Sequence, residues 1–134
     1  MWKINDKGIL TDPELHDGYV EALSVVNNKW VALECRTVKN ERMKINFGGV
    51  RILRGNDFRE GNIILNVAIY QGTKIPESEI EQLLFNQYSK RDAITKTIEE
   101  LHSSNEFFVH LECSYGLELK IFCKEIRFDR NPVA

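Results

Sequence analysis

Two runs in the last quarter of this 134-residue chain alternate so strictly that they leave one way to pair. Phe107, Val109, Leu111 and Cys113 fill every second position of the first run, and Leu117, Leu119, Ile121 and Cys123 those of the second. Successive strand side chains point to opposite faces, so a hairpin must bring both apolar sets to one side. A two-residue loop at Tyr115 and Gly116 would set Cys113 against Glu118 and break that rule. A three-residue loop, Ser114 to Gly116, pairs Cys113 with Leu117, Leu111 with Leu119, Val109 with Ile121 and Phe107 with Cys123. It also leaves Gly116 at the left-handed position such loops require. On the second face Phe108 then opposes Phe122, His110 opposes Lys120 and Glu112 opposes Glu118. Beyond Cys123 the apolar phase moves to Ile126 and Phe128, which predicts a bulge near Lys124 and Glu125.

The rest of the chain reads mainly as strand. MWKIN forms a short strand, and Asp12 before Pro13 marks a turn from Thr11 to Leu15. Tyr19 to Val26 and Trp30 to Val38 make a hairpin through Asn27, Asn28 and Lys29, because asparagine tolerates a positive φ. Met43, Ile45 and Phe47 alternate with Arg42, Lys44 and Asn46, and Gly48 with Gly49 then marks a bend before Val50, Ile52 and Leu53. NIILNVAIY, from Asn62, is the most continuously apolar run and belongs centrally in the sheet. Helical spacing is confined to the stretch after Pro76: Ser78 and Glu81 have capping-box spacing ahead of Ile80, Leu83, Leu84 and Gln87 or Tyr88. Asp92 precedes the stripe Ile94, Ile98 and Leu101. The expected architecture is one α+β domain spanning residues 1–134, predominantly antiparallel β-sheet with two short helices packed on one face, in two layers.

Composition supports a chain that folds on its own, with 43% hydrophobic and 28% charged residues. No apolar stretch is long enough for a membrane span, and Lys3, Asp6 and Lys7 interrupt the start, so a cytoplasmic protein is expected. Cys35, Cys113 and Cys123 lie inside strand patterns as buried, reduced thiols. The net charge of −2 argues against nucleic acid as a partner. It conceals a basic stretch from Arg36 to Arg59, with seven basic residues against two acidic. Arg42, Lys44, Arg51 and Arg54 within it are the expected contacts to a protein partner.

His16 and Asp17, together with His110, Glu112 and Glu118, are the remaining candidates for a polar site. Three histidines in the whole chain are too few for a metal-hydrolase pattern, so no metal and no cofactor are assigned. There is no GxSxG elbow, no SxxK, and no Cys with an identifiable His partner; FGGVRILRG lacks the spacing of a phosphate loop. No catalytic residue is assigned.

LHDGYVEAL, MKINFGGVRIL, GNIILNVAI and CSYGLELKIFC, taken in order, resemble a group of small bacterial domains that includes immunity proteins of polymorphic toxin systems. His16 and Asp17 match the His-Asp step of that group, and Ser114, Tyr115 and Gly116 its Ser-Tyr-Gly hairpin. The stretch from Ser78 to His102 has no matching motif. The resemblance implies a non-enzymatic binding protein whose partner is a toxin. The alternative from the residues is a small-molecule-binding or enzymatic domain with its site between helices and sheet.

Overall fold

The structure, a computed structural model, describes residues 2–27, 30–84 and 91–130. In chain order the strands are β1 (Lys3–Ile4), β2 (Leu10–Asp12), β3 (Tyr19–Val26), β4 (Trp30–Arg36), β5 (Arg42–Gly48), β6 (Ile52–Asn56) and β7 (Asn62–Gln71). Helices α1 (Glu77–Leu84) and α2 (Arg91–Ser103) follow, then β8 (Phe107–Tyr115), β9 (Glu118–Cys123) and β10 (Glu125–Arg130). β1 and β2 form a small ribbon, and the other strands make one antiparallel sheet in the order β10-β5-β4-β3-β7-β8-β9-β6. The α+β class with two short helices on one face is therefore the observed one.

The C-terminal hairpin has the register that parity dictates, from Phe107 opposite Cys123 through Glu112 opposite Glu118, but the expected Cys113–Leu117 pair does not form: Leu117 precedes β9, and Cys113 pairs instead with Ile64 of β7. Gly116 sits at φ +93. The bulge falls at Lys124, between β9 and β10. The β3–β4 hairpin also forms, with Val26 opposite Trp30 and Asn27 at φ 53; the expectations for Asn28, Lys29, Gln87 and Tyr88 lie outside the described residues.

The sheet is not flat. β5 and β6 are one strand bent at Gly48 to Arg51, and β9 and β10 are one strand bent at Lys124. The two bent strands pair on both sides of the bend, Ile52 with Phe122 and Gly48 with Glu125. Lys124 N donates to Gly48 O at 2.9 Å and Arg51 N to Phe122 O at 2.8 Å, so the ladder continues round the corner. At the opposite corner Tyr19 and Val20 of β3 pair with Ile63 and Asn62 of β7. Two four-stranded leaves, β10-β5-β4-β3 and β7-β8-β9-β6, are thus joined at both corners into a barrel-like sandwich, a common role for strand bends. The inward set of one leaf (Leu33, Cys35, Met43, Ile45, Phe47) meets that of the other (Ile64, Val109, Leu111, Leu119, Ile121), each at most 2% exposed.

The helices lie outside the second leaf. Phe108 and Phe122, both 0% exposed with ring centroids 4.9 Å apart, pack beneath Ile75, Ile80, Ile94, Ile98 and Leu101. The molecule therefore has three layers where two were expected, because the sheet folds over itself before the helices cover it. Two local expectations also change. Thr11 and Asp12 belong to β2, paired with β1, so the turn begins only at Pro13. α1 starts at Glu77, with Ile80 N bonding to Pro76 O, so Ser78 sits within the first turn instead of capping it.

Cys35 and Cys123 are buried as expected, whereas Cys113 is only partly so, and desolvation raises the pKa of all three thiols. Desolvation pushes Cys35 up to about 12, with Cys113, Glu21 and Glu34 adding to the effect, and pushes Cys113 up to about 11. Cys123 rises to about 12 by burial and the nearby Glu106, against a backbone hydrogen bond from Glu125 that lowers it.

Candidate partner-binding face

The β3–β7 corner is organised by one residue of the apolar NIILN run. Asn62 is 0% exposed. Its Oδ1 accepts from Arg59 N at 2.8 Å and Leu117 N at 2.9 Å; its Nδ2 donates to Arg59 O at 2.6 Å and Val20 O at 3.3 Å. A single side chain thereby ties β3, the loop before β7 and the loop into β9. A buried amide survives only when so satisfied. Gly116 is required here on two counts, since its φ is positive and a Cβ would run into Asn62 Oδ1.

The loop that Asn62 holds presents Phe58 and Arg59 beside the strand ends. Across the sheet the register aligns Arg42, Arg36, Tyr19, Ile63 and Tyr115 in one outward row spanning β5, β4, β3, β7 and β8. Tyr19, Phe58 and Tyr115 are 46%, 48% and 49% exposed. Arg59 Cζ lies 5.5 Å from the Tyr115 ring centroid, close enough for a cation–π contact. Arg36 Nε donates to Glu21 Oε1 at 2.6 Å, which fixes the guanidinium beside Tyr19. Between them runs an open cleft of about 530 Å³ lined by Tyr19, Arg36, Phe58 and Arg59, adjoined by one of about 400 Å³ that shares Phe58 and reaches Leu117.

His16 and Asp17 dock next to this row. His16 Nδ1 donates to Leu65 O at 2.7 Å, Asp17 N to Ile64 O at 2.9 Å, and Ile64 N to Gly18 O at 2.8 Å. Ser114 Oγ approaches Ile63 O at 3.5 Å. The His-Asp and Ser-Tyr-Gly motifs, far apart in sequence, thus meet on the first residues of β7. His16 Nε2 also lies 3.5 Å from Asp17 Oδ2, with both side chains more than half exposed.

The other polar candidates form a separate group on the outer face of the second leaf. His110 Nε2 lies 3.2 Å from Glu118 Oε2, Glu112 opposes Glu118, and the His110 ring stacks 6.4 Å from Phe108. Lys120, 14% exposed, reaches Glu79 of α1 at 2.7 Å and so fastens that helix to the sheet. Among the described residues, no three His, Cys, Asp or Glu side chains are grouped to hold a metal ion, and no helix is long and apolar enough to cross a membrane.

The basic stretch is divided by the bend at Gly48. Arg42 and Lys44 stay outward on the first leaf, where Lys44 stands between Glu34 and Asp129 in register. Arg51 bonds the buried Glu106 through two contacts, at 3.0 and 3.3 Å, and Arg54 lies opposite Lys120 on the second leaf. Arg42 alone of the four stands in the row with Tyr19 and Tyr115. Sequence reasoning missed Tyr19, Phe58 and Tyr115 as a set. Tyr19 and Tyr115 sit at strand ends and Phe58 in a loop, with no local pattern linking them, and the pairing that unites them is long-range. The space between helices and sheet is occupied by Phe108, Phe122, Ile80 and Leu101, each 0% exposed.

No family model, no curated protein and no solved structure matches this chain.

Proposed function

We propose that this protein is a non-catalytic binding module that engages a protein partner through the Arg42, Arg36, Tyr19, Ile63 and Tyr115 row with Phe58 and Arg59 beside it. The observation that carries the reading is three aromatic side chains, each nearly half exposed, interleaved with arginines at one corner of the sheet. Tyr and Arg dominate binding hot spots, because each combines large contact area with directional polar groups at modest entropic cost. A corner fixed by a buried asparagine presents them with little left to order on association. In keeping with the resemblance of its His-Asp and Ser-Tyr-Gly motifs, the partner is a toxin that the module neutralises by covering it.

The test is capture from an extract of the source cells by the wild-type protein and by a Tyr19→Ser, Phe58→Ser, Tyr115→Ser variant, followed by calorimetry on the purified pair. Loss of the three rings predicts an affinity at least about 100-fold weaker, with thermal stability unchanged. Equal affinity for the variant would remove this corner from the interface. If the captured protein is a toxin, its activity should fall on addition of the wild-type module and persist with the variant.

A further inference from the structure

The eight-stranded order ends on β10 and β6, and an edge strand presents unpaired amides and carbonyls that another strand can complete. Among the described residues β10 pairs only with β5. Along its other side runs a cleft of about 760 Å³ that borders every residue from Ile126 to Arg130, with Trp2, Asp12 and Pro13 on the far wall and Arg130 Nη2 donating to Asp12 Oδ1 at 2.8 Å at its end. Ile126 and Phe128 oppose Phe47 and Ile45 and therefore face the core; Arg127 and Asp129 oppose Asn46 and Lys44 and face outward.

A second copy adding its own β10 antiparallel, about a two-fold axis, must place one residue opposite itself. Only registers that keep the apolar residues on the core face are allowed. Centred on Arg127, the pairing opposes two guanidiniums and sets Glu125 against Asp129. Centred on Asp129, it opposes two carboxylates. Centred on Ile126, it sets Glu125 against Arg127 but pairs only three residues of the strand; centred on Phe128, it pairs five, sets Arg127 against Asp129 of the second copy twice over and brings the two Phe128 rings together, with Ile126 beside Arg130. The other open edge has no such solution: Arg54 is the one charged residue of β6, so no register of two β6 strands sets unlike charges together.

The outward groups already have partners within the monomer, Arg127 Nε lying 3.9 Å from Asp129 Oδ1. Arg127 Cζ lies 5.3 Å from the Trp30 ring centroid, and Asp129 Oδ2 accepts from Asn46 Nδ2 at 2.8 Å. We propose that β10 is a homodimerisation edge, pairing with the β10 of a second copy in the register centred on Phe128, so that the two first leaves merge into one continuous sheet. This surface is distinct from the Tyr19 and Tyr115 row.

Sedimentation velocity from about 10 μM to about 1 mM covers the affinity expected of so small an interface, and should show a monomer–dimer equilibrium. Arg127→Asp and Asp129→Arg each create two like-charge oppositions, and each should weaken the dimer at least about tenfold. Mixing the two variants restores opposite charges at both positions and should return association to near the wild-type level. Both side chains are substantially exposed, at 65% and 44%, but Asp129→Arg also gives up the bond from the buried Asn46, so far-UV circular dichroism and a thermal melt check the fold of each variant. A monomer at every concentration would overturn the proposal. So would a dimer indifferent to both reversals, or a mixture that fails to recover.

Discussion

Replacing Asn62 tests the account of the β3–β7 corner most directly. Asn62→Leu removes four hydrogen bonds from a fully buried site. Two of the abandoned partners, Arg59 N and Arg59 O, belong to an exposed residue and can turn to water. The other two cannot: Val20 is 2% and Leu117 1% exposed, so Val20 O and Leu117 N lose their partner without gaining another. At about 1–3 kcal/mol for each unsatisfied group, the expected loss is about 2–6 kcal/mol. That is a large share of the roughly 5–15 kcal/mol typical of a domain. Asn62→Ala should cost less, because the smaller side chain leaves room for a water that bonds the same groups. Urea unfolding followed by circular dichroism measures both; with a slope of about 1–3 kcal/mol per M, a 3 kcal/mol loss moves the midpoint by about 1–3 M. Amide exchange at Leu117 should accelerate in step. The reasoning is refuted if Asn62→Leu costs under about 1 kcal/mol, the scale of a single net hydrogen bond, or if the alanine variant is the less stable of the two.

Two further outcomes follow from the packing and the thiols. Phe108→Ala, which empties the space beneath both helices, should cost about 3–5 kcal/mol in the same assay; a loss of about 0.5 kcal/mol, typical of a surface change, would mean the helices do not rest on that ring. Stability should also fall as pH rises from about 9 towards about 12, because the unfolded thiols ionise near 9.0 while Cys35 and Cys123 hold their protons to about 12. The folded state then binds more protons than the unfolded one, so the slope of stability with pH is negative across that window and vanishes below it. A Cys35→Ala, Cys123→Ala variant should show a shallower decline, and thermal melts at stepped pH would reveal an unchanged slope if the thiols play no part.

Local parity carried the sequence reading as far as it went. The register of the Phe107 to Cys123 hairpin and the bulge at Lys124 follow from side-chain alternation, because a slip of one residue turns every apolar side chain to the wrong face; the bend at Gly48 follows from its paired glycines. The same logic found the stripe Ile94, Ile98 and Leu101, buried in α2. Parity also placed Phe108 and Phe122 together, but it did not reveal that the helices cover them. Leaf closure, the third layer and the separation of Arg42 from Arg51 and Arg54 depend on which distant strands pair, and short-range pattern does not encode that choice. Nor did composition mark Asn62. Its polar side chain sits inside an apolar run, and only the convergence of β3, β7 and the loop into β9 supplies the four groups that make it the pin of the corner where Tyr19 and Tyr115 meet.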